Sequence, residues 1–317
     1  MTIQYLIGDI CGTNSTLAII DKKNNFKIIK KKTFKTNNFK DIEEIIAQFF
    51  KNNIFQIQIC ILSIAGNIKN NNNIKLTNSN INVNINKIKQ KFLFEKIIII
   101  NDFYAIANTI ENINPKQIKI INKVKNNKNN HDNKIVVGAG TGLGFATLIY
   151  NKQNNSYIIK ESEAGHKDFS IHNQEELKLT QFIKNKYNKK NIQEEDLVSG
   201  KGIQNIYEFF TNKKLPPEKI FELKNIDKNA KKTFNLFFKF YARVIKNYAI
   251  SELALGGIYI AGGIITKNQK ISKKDFLKEF TKNDTYSLLL KNIPIYIIID
   301  YEISLYGIIE YIKKENL

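Results

Sequence analysis

Arginine is almost missing from this 317-residue chain: Arg243 is the single one among 49 lysine and arginine residues. Bidentate recognition of phosphate and guanine favours the guanidinium fork, so a nearly arginine-free chain is poorly suited to reading nucleic acid. Tryptophan is absent and Met1 is the only methionine, while Asn, Lys and Ile crowd every region where residue identity matters little. The formal net charge of +20 is therefore read as drift toward AT-rich codons, and nucleic acid is not an expected partner. Cys11 and Cys60 are the only cysteines, each in an apolar run, which leaves no disulfide framework or cysteine zinc site and predicts two small buried thiols. No apolar run approaches the roughly 18 residues of a membrane span, and Met1-Thr2-Ile3-Gln4 carries no basic stretch ahead of an apolar one. No membrane association is expected, and the expected location is the cytoplasm.

What is present is globular in composition, 43% hydrophobic and 25% charged, and at about 100 to 200 residues per domain the length predicts two domains. Residues 3–10 read as a strand, Gly12-Thr13-Asn14 as a turn and 15–20 as a second strand, a hairpin that opens a meander. Apolar residues at Ile42, Ile45, Ile46, Phe49 and Phe50 predict a helix over 41–50. Strands are expected at 57–64 and 97–100, the second buried on both faces because it is an unbroken isoleucine run. The stretch 67–91 is so rich in Asn and Lys that only the alternation of Ile81, Val83 and Ile85 admits a strand, and the polar stretch 122–134 is read as a surface loop.

The remainder is mainly helical. A strand at 135–137 precedes a helix expected over 228–254, whose stripe of Phe234, Phe237, Phe238, Tyr241, Val244, Ile245 and Tyr248 is closed by Gly256-Gly257. Strands at 258–261 and 295–299 and a last helix over 303–313 follow. One internal echo stands out: residues 6–14 superpose on residues 136–144 with their glycines, Gly8 on Gly138 and Gly12 on Gly142, at one offset of 130. Each copy reads as strand, polar turn, strand, which predicts two related lobes that each present a glycine hairpin.

Four clusters could carry chemistry. The segment Gly138-Ala139-Gly140-Thr141-Gly142-Leu143-Gly144 lets the backbone approach a ligand, yet it is neither a dinucleotide fingerprint nor a P-loop. From its residues alone it serves equally as a phosphate cradle or as a plain glycine hairpin. Asp9, before Gly12-Thr13-Asn14, is a carboxylate beside a tight turn, suited to a magnesium ion through its water shell or simply to capping the hairpin. Asn101-Asp102 closes the isoleucine strand, where α/β sheets bind ligands and where a helix N-cap also sits. Glu163 and His166 share a turn; no third ligand is spaced for a metal, so they are read as a polar hydrogen-bonding pair.

In order, Gly8 to Asn14, Leu76-Thr77-Asn78, Ile100-Asn101-Asp102-Phe103, Gly138 to Gly144, Glu163 to Asp168, Leu197-Val198-Ser199-Gly200, Gly256 to Gly263 and Ile293-Pro294-Ile295-Tyr296 make the chain resemble a known family. It is similar, over essentially its whole length, to the bacterial glucokinases of the non-ROK type within the hexokinase and actin-like ATPase superfamily. The resemblance implies an α/β, two-lobed actin-like ATPase (ribonuclease H-like) fold with a mixed β-sheet in each lobe. Residues 1–112, completed by the C-terminal helix 302–317, would form the small lobe and residues 113–301 the large one. It also implies ATP-dependent phosphorylation of glucose to glucose 6-phosphate with magnesium.

Carried over residue by residue, the resemblance makes Asp102 the general base and Asn101, Asp102, Glu163, His166 and Glu195 the sugar ligands. Asp9, Gly12, Thr13 and Asn14 resemble the first phosphate motif, Gly138, Gly140, Thr141, Gly142 and Gly144 the second, and Ala261-Gly262-Gly263 the adenosine motif. Asp9 is then the magnesium residue, acting through water, and a homodimer is expected. The chain departs from the family pattern at Cys11, where glycine is usual and a Cβ could crowd the phosphate or resist an unusual backbone angle. It departs again at Lys201, where proline is common, and in the 77–85 loop, which lacks the usual tryptophan. The alternatives are a kinase of the same fold for another hexose or an N-acetylhexosamine, and a non-catalytic sugar-sensing or nucleic-acid-binding protein derived from such a kinase.

Overall fold

A computed structural model of the chain describes residues 4–51, 57–66, 72–76, 81–124, 131–268 and 272–317. It divides into two compact units, Met1–Ile113 with Glu302–Leu317, and Asn114–Tyr301.

The first unit holds strands β1 (Gln4–Ile10), β2 (Asn14–Asp21) and β3 (Lys27–Lys35), helix α1 (Ile42–Phe50), strands β4 (Ile57–Ile64), β5 (Asn73–Lys75) and β6 (Asn82–Asn84), helix α2 (Ile85–Phe92), strand β7 (Lys96–Asn101) and helix α3 (Asp102–Asn108). Its main sheet runs β3-β2-β1-β4-β7, antiparallel among the first three strands and parallel from β1 to β7. Alternation along β1 sends Leu6 and Ile10 to one face, packed with Ile42, Ile45, Ile46 and Phe49 of α1, and Tyr5 and Ile7 to the other. That second face is covered by Ala105 of α3 and by Leu305, Ile308 and Ile312 of the C-terminal helix Ile303–Lys314. Helix α1 starts where Asp41 accepts a hydrogen bond from the Glu44 amide.

The second unit holds β8 (Ile118–Asn122), β9 (Lys134–Ala139), β10 (Leu143–Asn151), β11 (Ser156–Ser162), helices α4 (Gln174–Tyr187), α5 (Gly200–Thr211), α6 (Pro217–Leu223) and α7 (Lys228–Ser251), β12 (Gly257–Ala261), α8 (Gly263–Lys267), α9 (Lys273–Phe280), α10 (Ser287–Lys291) and β13 (Ile295–Ile298). Its sheet runs β11-β10-β9-β12-β13-β8. The pattern of the first unit repeats: two antiparallel pairings through β11, β10 and β9, then two parallel ones through β12 and β13, with β8 added antiparallel at the edge. The offset of 130 carries the first residue of β1, Gln4, onto the first of β9, Lys134, and the last of β2, Asp21, onto the last of β10, Asn151. The turns differ in length, since the last pairs are Ile10 with Ser15 and Ala139 with Leu143.

Several expectations are corrected. The isoleucine strand β7 packs on both faces, Ile97 and Ile99 on one and Ile98 and Ile100 on the other, but only Ile100 is fully buried. Among the described residues it pairs with β4 alone, and Ile97 to Ile99 are half-buried, because an edge position leaves one flank without a neighbour. Helix α2 and strand β8 form where no such element was expected. Helix α7 stops at Ser251 rather than at residue 254, because Leu253 takes a left-handed conformation at φ +47°. Cys60 is buried, but Cys11 is only partly so. Among the described residues no helix is long and apolar enough to cross a membrane.

Candidate active site

In the first unit the site begins where β1 ends. Asp9 lies on the face of the sheet that the C-terminal helix covers, and its Oδ1 accepts hydrogen bonds from Ser63 Oγ at 2.9 Å, Ser304 Oγ at 3.0 Å and Cys11 Sγ at 3.7 Å. Among the described residues Oδ2 takes no hydrogen bond, so the carboxylate is anchored through Oδ1 alone. Burial pushes the carboxyl above its ordinary range, and the three donors pull it back. This donor set fits a hard cation held through water. The following turn is tied down by Cys11 N–H donating to Asn14 O at 3.1 Å and Thr36 Oγ1 donating to Cys11 O at 2.7 Å. Gly12 is buried, while Thr13 and Asn14 are exposed.

Cys11 does not have the backbone angle that its glycine-like position raised as a concern: it is not among the residues of positive φ. Its thiol is pushed well up by burial and by the carboxylates of Asp9 and Asp102, so it stays protonated and donates to Asp9. At the end of β7, Asn101 rather than Asp102 is the N-cap of α3, its Oδ1 accepting from the amides of Phe103 at 2.8 Å and Tyr104 at 3.1 Å. Asp102 is half-buried at the first helical position and accepts from Phe103 N–H at 3.0 Å. Of the motif Leu76-Thr77-Asn78, Thr77 and Asn78 lie outside the described residues.

In the second unit, Leu143 stands at the centre. Its amide donates to Glu195 Oε2 at 2.9 Å, and its carbonyl is where a Cβ on Gly165 would stand, only 2.3 Å away, so the turn Ala164–His166 closes against β10 because residue 165 is glycine. That turn places Glu163 Oε2 3.7 Å from His166 Nε2, with His166 Nδ1 3.1 Å from Gln193 Oε1. Segment 194–200 joins the glycine turn a second time, Gly200 N–H donating to Gly140 O at 2.8 Å. Glu163, His166, Glu195 and the turn 140–143 are thus assembled together. Gly262, at φ +94°, follows β12 beside Ala139, with room for no Cβ. At Gly140 and Gly263, by contrast, a Cβ would meet no protein atom within 4 Å. Neither glycine is needed for packing, so the space beside them fits an approaching phosphate or nucleoside.

Residues that sequence reasoning missed support this site. Ser304 stands 295 positions from its partner Asp9 and gives no local signal. Glu194 is buried beside the half-exposed Glu195, and Tyr248 Oη donates to its Oε2. Burial pushes the Glu194 carboxyl up to about 7, although Tyr248 and Lys167 act the other way. A carboxyl raised in the folded state stabilises the fold while protonated and loses that contribution as pH rises from about 4.5 to about 7. Glu194→Gln keeps an acceptor for Tyr248 and fixes the neutral form. Its stability relative to wild type should therefore rise between pH 4.5 and pH 8, by on the order of 3 kcal/mol. Thermal melts of both proteins across that range test this; a difference independent of pH would count against it.

Among the described residues no group of three or more His, Cys, Asp or Glu stands together as a metal cluster. The family model described as Glucokinase matches residues 6–315. A glucokinase of Nostoc punctiforme is 31% identical over 95% of this chain and 96% of its own length. The crystal structure of a glucokinase from an Antarctic psychrotroph superposes with a TM-score of 0.76 at 25% identity, covering 98% of this chain and 99% of that one. That of Balamuthia mandrillaris glucokinase in complex with glucose superposes at 0.85, with 22% identity over 99% and 94%, and speaks for the fold. The fold is the two-lobed actin-like ATPase (ribonuclease H-like) fold, with a mixed sheet in each unit. With the glycine turns, the strand-end Asn101-Asp102 and the Glu163-His166 turn all present within one matched length, the chain belongs to the glucokinase family.

Proposed function

We propose that this protein transfers the γ-phosphoryl group of ATP to glucose, giving glucose 6-phosphate and ADP. The observation that carries the reading is the family match over residues 6–315, within which each motif residue named above falls. Asp102 takes the proton of the sugar 6-hydroxyl as that oxygen bonds to the γ-phosphorus and the bond to the β–γ bridging oxygen breaks. Its position at the carboxyl end of a parallel strand, fixed by the Asn101 cap, supports that role. Asn101, Glu163, His166 and Glu195 hold the sugar hydroxyls; carboxylates and an imidazole discriminate among sugars because an unmatched buried polar group is costly.

The turn Gly12-Thr13-Asn14 and the segment Gly138, Gly140, Thr141, Gly142 and Gly144 receive phosphates, and Gly262 and Gly263 receive the adenosine. Asp9 holds magnesium through water, and the ion, when bound, offsets charge on the phosphate oxygens. Residues 1–112 with 302–317 act as the small lobe and 113–301 as the large lobe. The protein works in the cytoplasm as a homodimer. Purified protein given ATP and magnesium should form ADP with glucose and far more slowly with mannose or N-acetylmannosamine. Turnover with one of those sugars but not glucose would reassign the substrate, and no turnover with any hexose would overturn the reading.

A further inference from the structure

Glu195 touches the glycine turn as well as standing among the candidate sugar ligands. Its Oε2 accepts the Leu143 amide at 2.9 Å, and Leu143 is the first residue after the three-residue turn that joins β9 to β10. Within that turn Gly140 N–H donates to Gly142 O at 2.8 Å, and Gly140 O receives the Gly200 amide. The turn is therefore held at both ends by one segment: through the Glu195 side chain at residue 143, and through the Gly200 backbone at residue 140. The backbone that carries the side chain is itself steadied, since Ser199 Oγ donates to the main-chain carbonyl of Glu195 at 2.7 Å. Among the described residues its Oε1 makes no hydrogen bond, and the side chain is half-buried, so one oxygen is engaged by the turn and the other is open.

We propose that Glu195 is the positioning residue of the phosphate turn, shaping residues 140–143 through Leu143 with one carboxylate oxygen while the other takes a sugar hydroxyl. Nucleotide affinity and sugar affinity are then linked through a single side chain. Sugar bound to Oε1 restrains the carboxylate that orders the turn, and an ordered turn holds the carboxylate ready for the sugar. Linkage makes the effect reciprocal: whatever factor glucose adds to ATP affinity by this route, ATP adds to glucose affinity. The inference rests on the proposed function for the identity of the two ligands, but the contact itself does not.

The test is ATP binding with magnesium in the absence of sugar, measured by calorimetry on wild type, Glu195→Ala, Glu195→Asp and Glu195→Gln. A hydrogen bond to a charged group is worth enough that its loss should weaken ATP binding by roughly tenfold in the alanine variant. The aspartate variant keeps the charge but loses the reach to Leu143, and should be weakened similarly. Glutamine presents a carbonyl to the same amide and should bind ATP within about twofold of wild type, while its glucose affinity falls because an amide NH2 replaces the open oxygen. Sugar-free ATP affinity that is unchanged in both the alanine and aspartate variants overturns the proposal, as does a glutamine variant that fails to restore it. Because no sugar is present, these outcomes are independent of whether glucose is the substrate; failure of that reading appears separately, as wild type that binds ATP and ignores glucose. The aspartate and glutamine variants keep the test decisive if the alanine variant does not fold.

Discussion

Replacing Asp102 by asparagine should lower kcat for glucose phosphorylation by about 10²- to 10⁴-fold. The size follows from what the residue does: a sugar hydroxyl is a weak nucleophile at neutral pH, and an amide cannot take its proton. The change should otherwise be mild. Asparagine can still accept the Phe103 amide, and the cap of α3 belongs to Asn101, so the helix start survives. KM for ATP and glucose should move little, because the side chain keeps its volume and an acceptor oxygen. Steady-state kinetics of the two proteins separate the outcomes. A loss confined to KM would make Asp102 a binding residue, and full activity in the variant would remove it from the reaction.

The second large effect concerns stability. Arg243 is buried on α7, where its NH1 and NH2 donate to the two carboxylate oxygens of Glu176 at 2.8 and 2.9 Å. NH1 also donates to Ser170 O at 3.1 Å, and Nε donates to Glu279 Oε1 at 3.4 Å. In a chain whose other 48 lysine and arginine positions are all lysine, the one arginine sits where a planar fork is required, because an ammonium cannot serve those acceptors together. Arg243→Ala leaves Glu176 buried without its main partner, which costs about 3–5 kcal/mol. For a unit of this size the melting point should fall by roughly 10 °C.

Arg243→Lys should fall between wild type and alanine. A lysine variant as stable as wild type would show that charge alone suffices there. The pH dependence has a definite sign. Burial raises the Glu176 carboxyl, but the Arg243 hydrogen bonds and charge outweigh it and hold it below its ordinary value. A carboxyl lowered in the folded state contributes stability above about pH 4.5, and that contribution is lost as pH falls. The gap between wild type and Arg243→Ala should therefore narrow on acidification. Melts at pH 7 and pH 4 measure it.

Legibility in the sequence followed the physics of each element. The hairpin β1–β2 and the strand β4 were readable because alternation and turn residues act locally, and α1 and α7 because their apolar faces keep a 3.6-residue period. The repeat at offset 130 was readable because glycines punctuate both copies. Helix α2 was not, because its apolar Ile85, Ile88 and Phe92 follow directly on the strand-like alternation of Ile81, Val83 and Ile85, and strand β8 was not, because it is short and borders a polar stretch. The edge position of β7 was equally hidden, because an isoleucine run reads the same at the edge and in the middle of a sheet. Near the site, Asn101 and Asp102 were visible as a pair, but which of them caps α3 depends on backbone geometry.

By itself the sequence determined the family, the two-part α/β organisation and the residues on which the reaction is proposed to turn, because ordered motifs and local periodicity are written along the chain. The tertiary structure alone decided their partners. Ser63 and Ser304 on Asp9, Leu143 on Glu195 and Tyr248 on Glu194 are joined across 54, 295, 52 and 54 positions. The same holds for burial, which separates neighbouring Glu194 and Glu195 into a carboxyl raised to about 7 and a half-exposed side chain bound to a turn. Hydrogen bonding and desolvation act over a few ångströms of space, and only the folded chain determines which distant residues share that space.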